Sequence, residues 1–264
     1  MPRQKGLGPY FLDPTEKFSA FRRYPLHLEG RNALVLEPEN PRLMAIPELD
    51  SAGEHVVQVF HELDVDGTRL ARGRDSLVLR GKAAAEFREH LRGWNPATRN
   101  QNLLSWLSSS YSTFNEDSFR ILGEGDPDEP LVFVLRHHGR FPALDGSQAF
   151  NHFPKLELSF LRFPEALRRR SPVQFPHEAL VESNWIYRLP PGFAWKSLSL
   201  AREIEEDALR WRFSIQQNEP GIIALKQQWR VSPFFAEPEE YRRLRSEWDP
   251  VLEHCGLRLV ISKM

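Results

Sequence analysis

Apolar and polar residues alternate with a period of two along several stretches of the chain, and this pattern predicts strands. In residues 54–65, EHVVQVFHELDV, the side chains of Val57, Val59, Leu63 and Val65 share one face while Gln58, Glu62 and Asp64 share the other. Asp66-Gly67 follows, the pair favoured in a two-residue type I′ turn, so residues 68–79 are expected to return antiparallel. LVFVLR at 131–136 reads as a continuous apolar strand after a turn at Gly125-Asp126-Pro127, and Leu156, Leu158 and Phe160 alternate as a short one. Nearer the end, Trp185, Tyr187 and Leu189 mark the inward face of a strand at 181–189. Leu209, Trp211, Phe213 and Ile215 then alternate with Arg210, Arg212 and Ser214, and Ile223, Leu225, Trp229 and Val231 repeat the pattern. With a turn at 218–221 these two make a hairpin covering a core, and Leu257, Leu259 and Ile261 close the chain as a last strand.

Elsewhere the apolar spacing changes to that of a helix. Ala84, Phe87, Leu91 and Trp94 share a stripe in 82–94. A second helix is expected to begin with Asn95 as its cap and Pro96 in its first position, carrying Leu103, Leu104, Leu107 and Tyr111 inward. Pro238 opens a third, with Glu239 and Glu240 at the positive end of the helix dipole and Tyr241, Leu244 and Trp248 on one stripe. The predicted class is α+β, with mainly antiparallel, β-sandwich-like sheets, a packed helix pair and a C-terminal amphipathic helix. Pro38, Pro41 and Pro47 read as an extended linker, which sets a boundary between 1–47 and 48–264. The proline-interrupted stretch 141–180 is where a second seam would fall.

Composition narrows the function. With 264 residues, 41% hydrophobic and 11% aromatic, the chain carries enough apolar material for a sizeable core and does not read as disordered. A net charge of −1 offers no field to concentrate phosphates, so nucleic-acid binding is not expected, and the run Arg168, Arg169, Arg170 reads as a solvated loop. No apolar run is long enough to span a bilayer, and the amino terminus lacks the apolar segment of a signal peptide. The compartment is left open.

Residues able to carry chemistry are few. Cys255 is the one cysteine and has Glu253 and His254 beside it, but adjacent side chains rarely form a nucleophile and base, so it reads as a small residue between helix and strand. His137 and His138 are neighbours on a strand and point to opposite faces; a zinc set of His137, His152 and Asp145 competes with a reading as surface histidines. His55 and His61 stand about 20 Å apart along one strand and are not expected to share a ligand. DVDGT resembles a calcium loop but lacks its glycine and glutamate, standing Arg69 and Asp75 in their places. The seven Trp suggest an aromatic platform, although Trp185, Trp211 and Trp229 fall on faces assigned to the core, leaving Trp94, Trp106, Trp195 and Trp248. No cofactor and no metal are expected.

Three features together carry a resemblance: LDPT at 12–15, YPLHLEGRNALVLEP at 24–38, and the closing order of strand and LPPGF turn, hairpin, PEEY helix and last strand. They resemble the C-terminal region of bacterial multidomain proteins that join an N-terminal β-rich domain of unknown function, a transglutaminase-like core and a trailing β-rich region. The resemblance implies that 1–47 is the stub of that core plus a linker and that 48–264 is the β-rich region. It also implies that Asp13 stands as the third member of a Cys-His-Asp triad, the carboxylate that orients the imidazole. Nothing before Asp13 is Cys or His, and an orienting carboxylate alone catalyses nothing, so Asp13 is vestigial on this reading. The expected role is then a non-catalytic accessory or interaction region, with an upstream transglutaminase-like core or a second copy as partner. Family members are often exported or periplasmic. Two other readings stay open: a thiol-dependent acyltransferase or peptidase using Cys255, and a carbohydrate- or peptide-binding β-sandwich.

Overall fold

The structure, a computed structural model, describes residues 28, 31–36, 40–46, 55–95, 97–108, 115–141, 149–152, 170–175, 178–196, 200–253 and 257–264. A small hairpin comes first, β1 (Asn32–Val35) against β2 (Arg42–Ala45), the latter within the stretch read as linker. Next are β3 (His55–Val65), β4 (Leu70–Arg80), α1 (Gly81–Gly93), α2 (Arg99–Ser108), β5 (Asn115–Leu122), β6 (Leu131–Arg140) and β7 (Ala149–His152). After them follow β8 (Val173–Phe175), β9 (Ala179–Arg188), β10 (Phe193–Trp195), β11 (Leu200–Glu206), β12 (Leu209–Glu219), β13 (Ile222–Val231) and β14 (Phe234–Ala236). A helix, here α3 (Pro238–Glu253), and β15 (Leu257–Lys263) end the chain. The class is α+β and mostly strand, as the alternation predicted.

Eight strands form one sheet in the order β11-β12-β13-β9-β3-β4-β6-β5. Every pairing in it is antiparallel except β3 with β9, which run parallel and join the two halves of the chain. The odd-numbered residues of β3, β4, β6, β9, β12 and β13 line the inner face. Across the middle of it Trp211, Trp229, Val181, Val57 and Leu79 stand in one row, all buried. On this face lie α1, α3 and the small sheet β10-β15-β7, in one hydrophobic cluster. Phe87 of α1 meets Phe133 edge-on at 5.1 Å, Trp195 of β10 meets Tyr187 at 6.1 Å, and Phe234 packs between Tyr241 and Trp248 of α3. The outer face mixes polar and apolar side chains: Glu182 accepts from Gln58 at 2.9 Å and from Gln228 at 2.8 Å, so one carboxylate ties three neighbouring strands across the parallel join.

Two local features differ from expectation for identifiable reasons. The β3–β4 connection is not a two-residue type I′ turn, which would need positive φ at both Asp66 and Gly67; neither has it, and Arg69 does, at 68°. The Asp66 carboxylate accepts from Thr68 N at 2.8 Å, Thr68 Oγ1 at 2.6 Å and Leu70 N at 3.0 Å, folding a longer loop around itself that Arg69 closes in the left-handed region. Those bonds, the one from the Thr68 side chain foremost, also hold the Asp66 carboxyl below its ordinary pKa. Helix α2 starts at Arg99 rather than Pro96: Asn95 accepts from Ala97 N with its side chain and from Thr98 N with its carbonyl, forming a turn that leads into the helix, where Asn102 N donates to Thr98 O. Tyr111 and the strand expected around Leu156, Leu158 and Phe160 lie outside the described residues.

Arg88 of α1 is a polar group inside this core, 2% exposed. Its guanidinium donates to Gly123 O at 2.7 and 3.2 Å, Asp126 O at 2.8 Å and Glu129 O at 2.6 Å, clamping the β5–β6 turn to the helix. Gly123 is obligatory there, with φ of 73° and Pro130 O only 2.0 Å from where a Cβ would stand.

Candidate functional site

Among the described residues, the inner face carries one cluster of buried titratable groups, built from three adjacent strands. His61 of β3 pairs directly across from Asp75 of β4, and His137 of β6 pairs with Gly73, one pleat along β4 on the same face. His61 is 7% exposed and His137 3%, while the Asp75 side chain retains 17%. His61 Nδ1 donates to Asp75 Oδ1, and His137 Nε2 lies 3.3 Å from Asp75 Oδ2, so one carboxylate bridges two imidazoles. The two rings stack at 6.2 Å with 19° between planes, and Tyr187 tilts against His61 at 5.5 Å.

Glycine at 73 makes this possible. A Cβ there would stand 2.2 Å from both Cε1 and Nε2 of His137, so only a residue without a side chain lets the imidazole lie over β4 and reach the carboxylate. Burial pushes the Asp75 carboxyl up, but the charge of His61 and the hydrogen bonds from both imidazoles outweigh it and hold it well below the usual carboxylate range. Asp75 is therefore an anion held between two nitrogen bases. Such a set can fix ring tautomers, store a proton or coordinate a cation.

A second buried polar group sits further across the same face. Gln227 lies between the indoles of Trp211 and Trp229, and its carbonyl oxygen, oriented by hydrogen-bonding logic, accepts from Trp211 Nε1 at 3.0 Å and Trp229 Nε1 at 2.5 Å. Trp185, Trp195 and Trp248 are buried as well, and Trp94 packs edge-on against Phe87 at 6.3 Å. These rings are core rather than a ligand platform; the Trp106 side chain lies outside the described residues.

Sequence reasoning placed some of these residues correctly. His137 and His138 do face opposite ways: His137 is buried, and half-exposed His138 bonds Asp117 at 2.6 Å. His137 is brought to His61 and Asp75; of the set with His152 and Asp145, only the His152 backbone is described, in β7 opposite Leu257, while its side chain and Asp145 lie outside the described residues. Asp13, His254 and Cys255 also lie outside them. In the sequence Asp75 stands out only as the residue that occupies the place of a calcium loop's glutamate. The signal that could have found it is Asp66, whose turn chemistry sets the register placing Asp75 across from His61. No described helix is long and apolar enough to cross a membrane. The chain matches no family model, no curated protein and no solved structure.

Proposed function

We propose that this chain is a non-catalytic, β-rich accessory region that docks through its β1–β2 hairpin onto a catalytic partner of the transglutaminase-like kind. The observation that supports this is the way the hairpin faces. Leu34 and Leu43 are direct cross-strand partners and, with Leu36, are 61%, 69% and 79% exposed, whereas the smaller Ala33 and the Met44 opposite it are half-buried. The hairpin turns its leucines to water, and at its open end the buried Ile46 donates to Arg31 O at 2.8 Å, extending the β1–β2 ladder by one pair. Covering three leucines contributes roughly 5 kcal/mol before the costs of association, so they would form the apolar centre of a larger contact. Strand β1, with Leu34 and the following Leu36, lies in the stretch that carries the resemblance, YPLHLEGRNALVLEP, so the surface would face the remainder of such a core.

Sedimentation velocity of the purified chain, alone across a concentration series and with the polypeptide encoded upstream of it, tests the reading. Complex formation or self-association that Leu34→Ser with Leu43→Ser abolishes is the expected result. A monomer with no affinity for the upstream polypeptide would refute the docking surface. Rapid, selective alkylation of Cys255 by iodoacetamide in the folded chain, with glutamine-peptide hydrolysis lost on Cys255→Ser, would refute the non-catalytic reading.

A further inference from the structure

We infer that His61, Asp75 and His137 form a binding site for one divalent transition-metal ion, zinc being the best match. Two imidazole nitrogens and one carboxylate oxygen are the donor set that suits zinc, whereas calcium and magnesium take oxygen ligands. One ligand atom from each of the three residues lies within 4.8 Å of the other two. Zinc bound at about 2.0–2.2 Å from each donor in a tetrahedral arrangement sets the donors roughly 3.3–3.6 Å apart. The His137 Nε2 to Asp75 Oδ2 distance, 3.3 Å, already has that value. His61 Nδ1, now hydrogen-bonded to Oδ1, would back away and present its lone pair, with the ring hydrogen on the opposite nitrogen; His137 would do likewise. Three protein ligands leave the fourth position to water or an incoming group.

Two features show that the site is built rather than incidental. Gly73 clears the space over β4 that the His137 ring occupies, and the atoms a Cβ would strike include the Nε2 that faces Asp75. All three side chains come from adjacent strands of the sheet, β3, β4 and β6, whose β3–β4 and β4–β6 ladders run without interruption at these positions. Asp75 is the least buried of the three and offers a route in for the ion.

The test uses the full chain stripped of metal with a chelator. Equilibrium dialysis against zinc and titration with cobalt(II) are expected to give one ion per chain, with the visible absorption of four-coordinate cobalt that zinc then displaces. His137→Gln and Asp75→Asn are expected to weaken binding by roughly 100-fold or more, whereas His138→Ala and Cys255→Ser leave it unchanged. Because core variants can fail to fold, the ring ¹H–¹⁵N signals of His61 and His137 are followed in the unaltered chain, where zinc should shift both. Absence of stoichiometric binding, ring signals that zinc leaves in place, or binding that survives His137→Gln in a folded variant would each overturn the inference.

Discussion

Replacing Gly73 with Ala adds a single methyl group, and its cost follows from what the methyl meets. The new Cβ stands 2.2 Å from two atoms of the His137 ring, more than 1 Å inside ordinary contact, so ring or strand must move. The ring has little freedom, being 3% exposed and stacked on His61. Overpacking of this kind costs typically 1–3 kcal/mol, and displacing His137 from its 3.3 Å approach to Asp75 costs roughly 1–2 more. Against this, alanine in a strand recovers up to about 1 kcal/mol relative to glycine. The expected net loss is about 1–5 kcal/mol, centred near 3, or roughly 5–10 °C in Tm at that centre for a chain of this size. Urea denaturation of four proteins completes the assay: the unaltered chain, Gly73→Ala, His137→Ala and the double variant. In the His137→Ala background the methyl meets open space, so Gly73→Ala should there be neutral or stabilising, which gives a coupling energy of about 3 kcal/mol. If Gly73→Ala is neutral in the unaltered chain, or costs the same in both backgrounds, the packing argument for the cluster is wrong.

Asp75→Asn should destabilise the fold by roughly 2–4 kcal/mol at neutral pH. Because the folded carboxyl ionises more readily than the unfolded one, its contribution is complete above the unfolded value of about 4 and fades as pH falls through the lower folded value. The stability difference between the Asp75→Asn variant and the unaltered chain should therefore shrink below about pH 4 in acid denaturation. Arg88→Met, which leaves three carbonyls of the β5–β6 turn without their donor, should cost roughly 3 kcal/mol and speed amide exchange in residues 123–129 well beyond that of β3. Trp248→Ala should cost about 3–5 kcal/mol in the same denaturation assay. Leu34→Ser with Leu43→Ser should leave stability within about 0.5 kcal/mol while abolishing association in sedimentation.

Strands with one dry face were legible, because β3, β9, β12 and β13 alternate strongly, and α3 was legible from its Tyr241, Leu244 and Trp248 stripe. The edge strands were not. In β5, NEDSFRIL, and β11, LAREIEE, most positions meet water on both faces, so charged residues dilute the period. Alternation reports which face a residue is on and says nothing of what lies opposite. A two-residue turn at Asp66-Gly67 would have paired His61 with Arg72; the Asx-closed loop shifts the register by three residues and brings Asp75 there instead. The candidate site was hidden by one turn.

The parallel contact of β3 with β9 has a consequence for how the molecule assembles. Hairpins such as β3–β4 and β12–β13 need only neighbouring segments to meet, but Val57 finds Val181 across nearly half the polypeptide, with all that lies between already committed or still searching. Until that encounter, each half-sheet presents an unsatisfied central strand to whatever is nearby, and during synthesis the first half waits for the second to emerge. The Glu182 carboxylate that grips Gln58 and Gln228 thus acts as the late fastening of a closure on which the whole sheet depends.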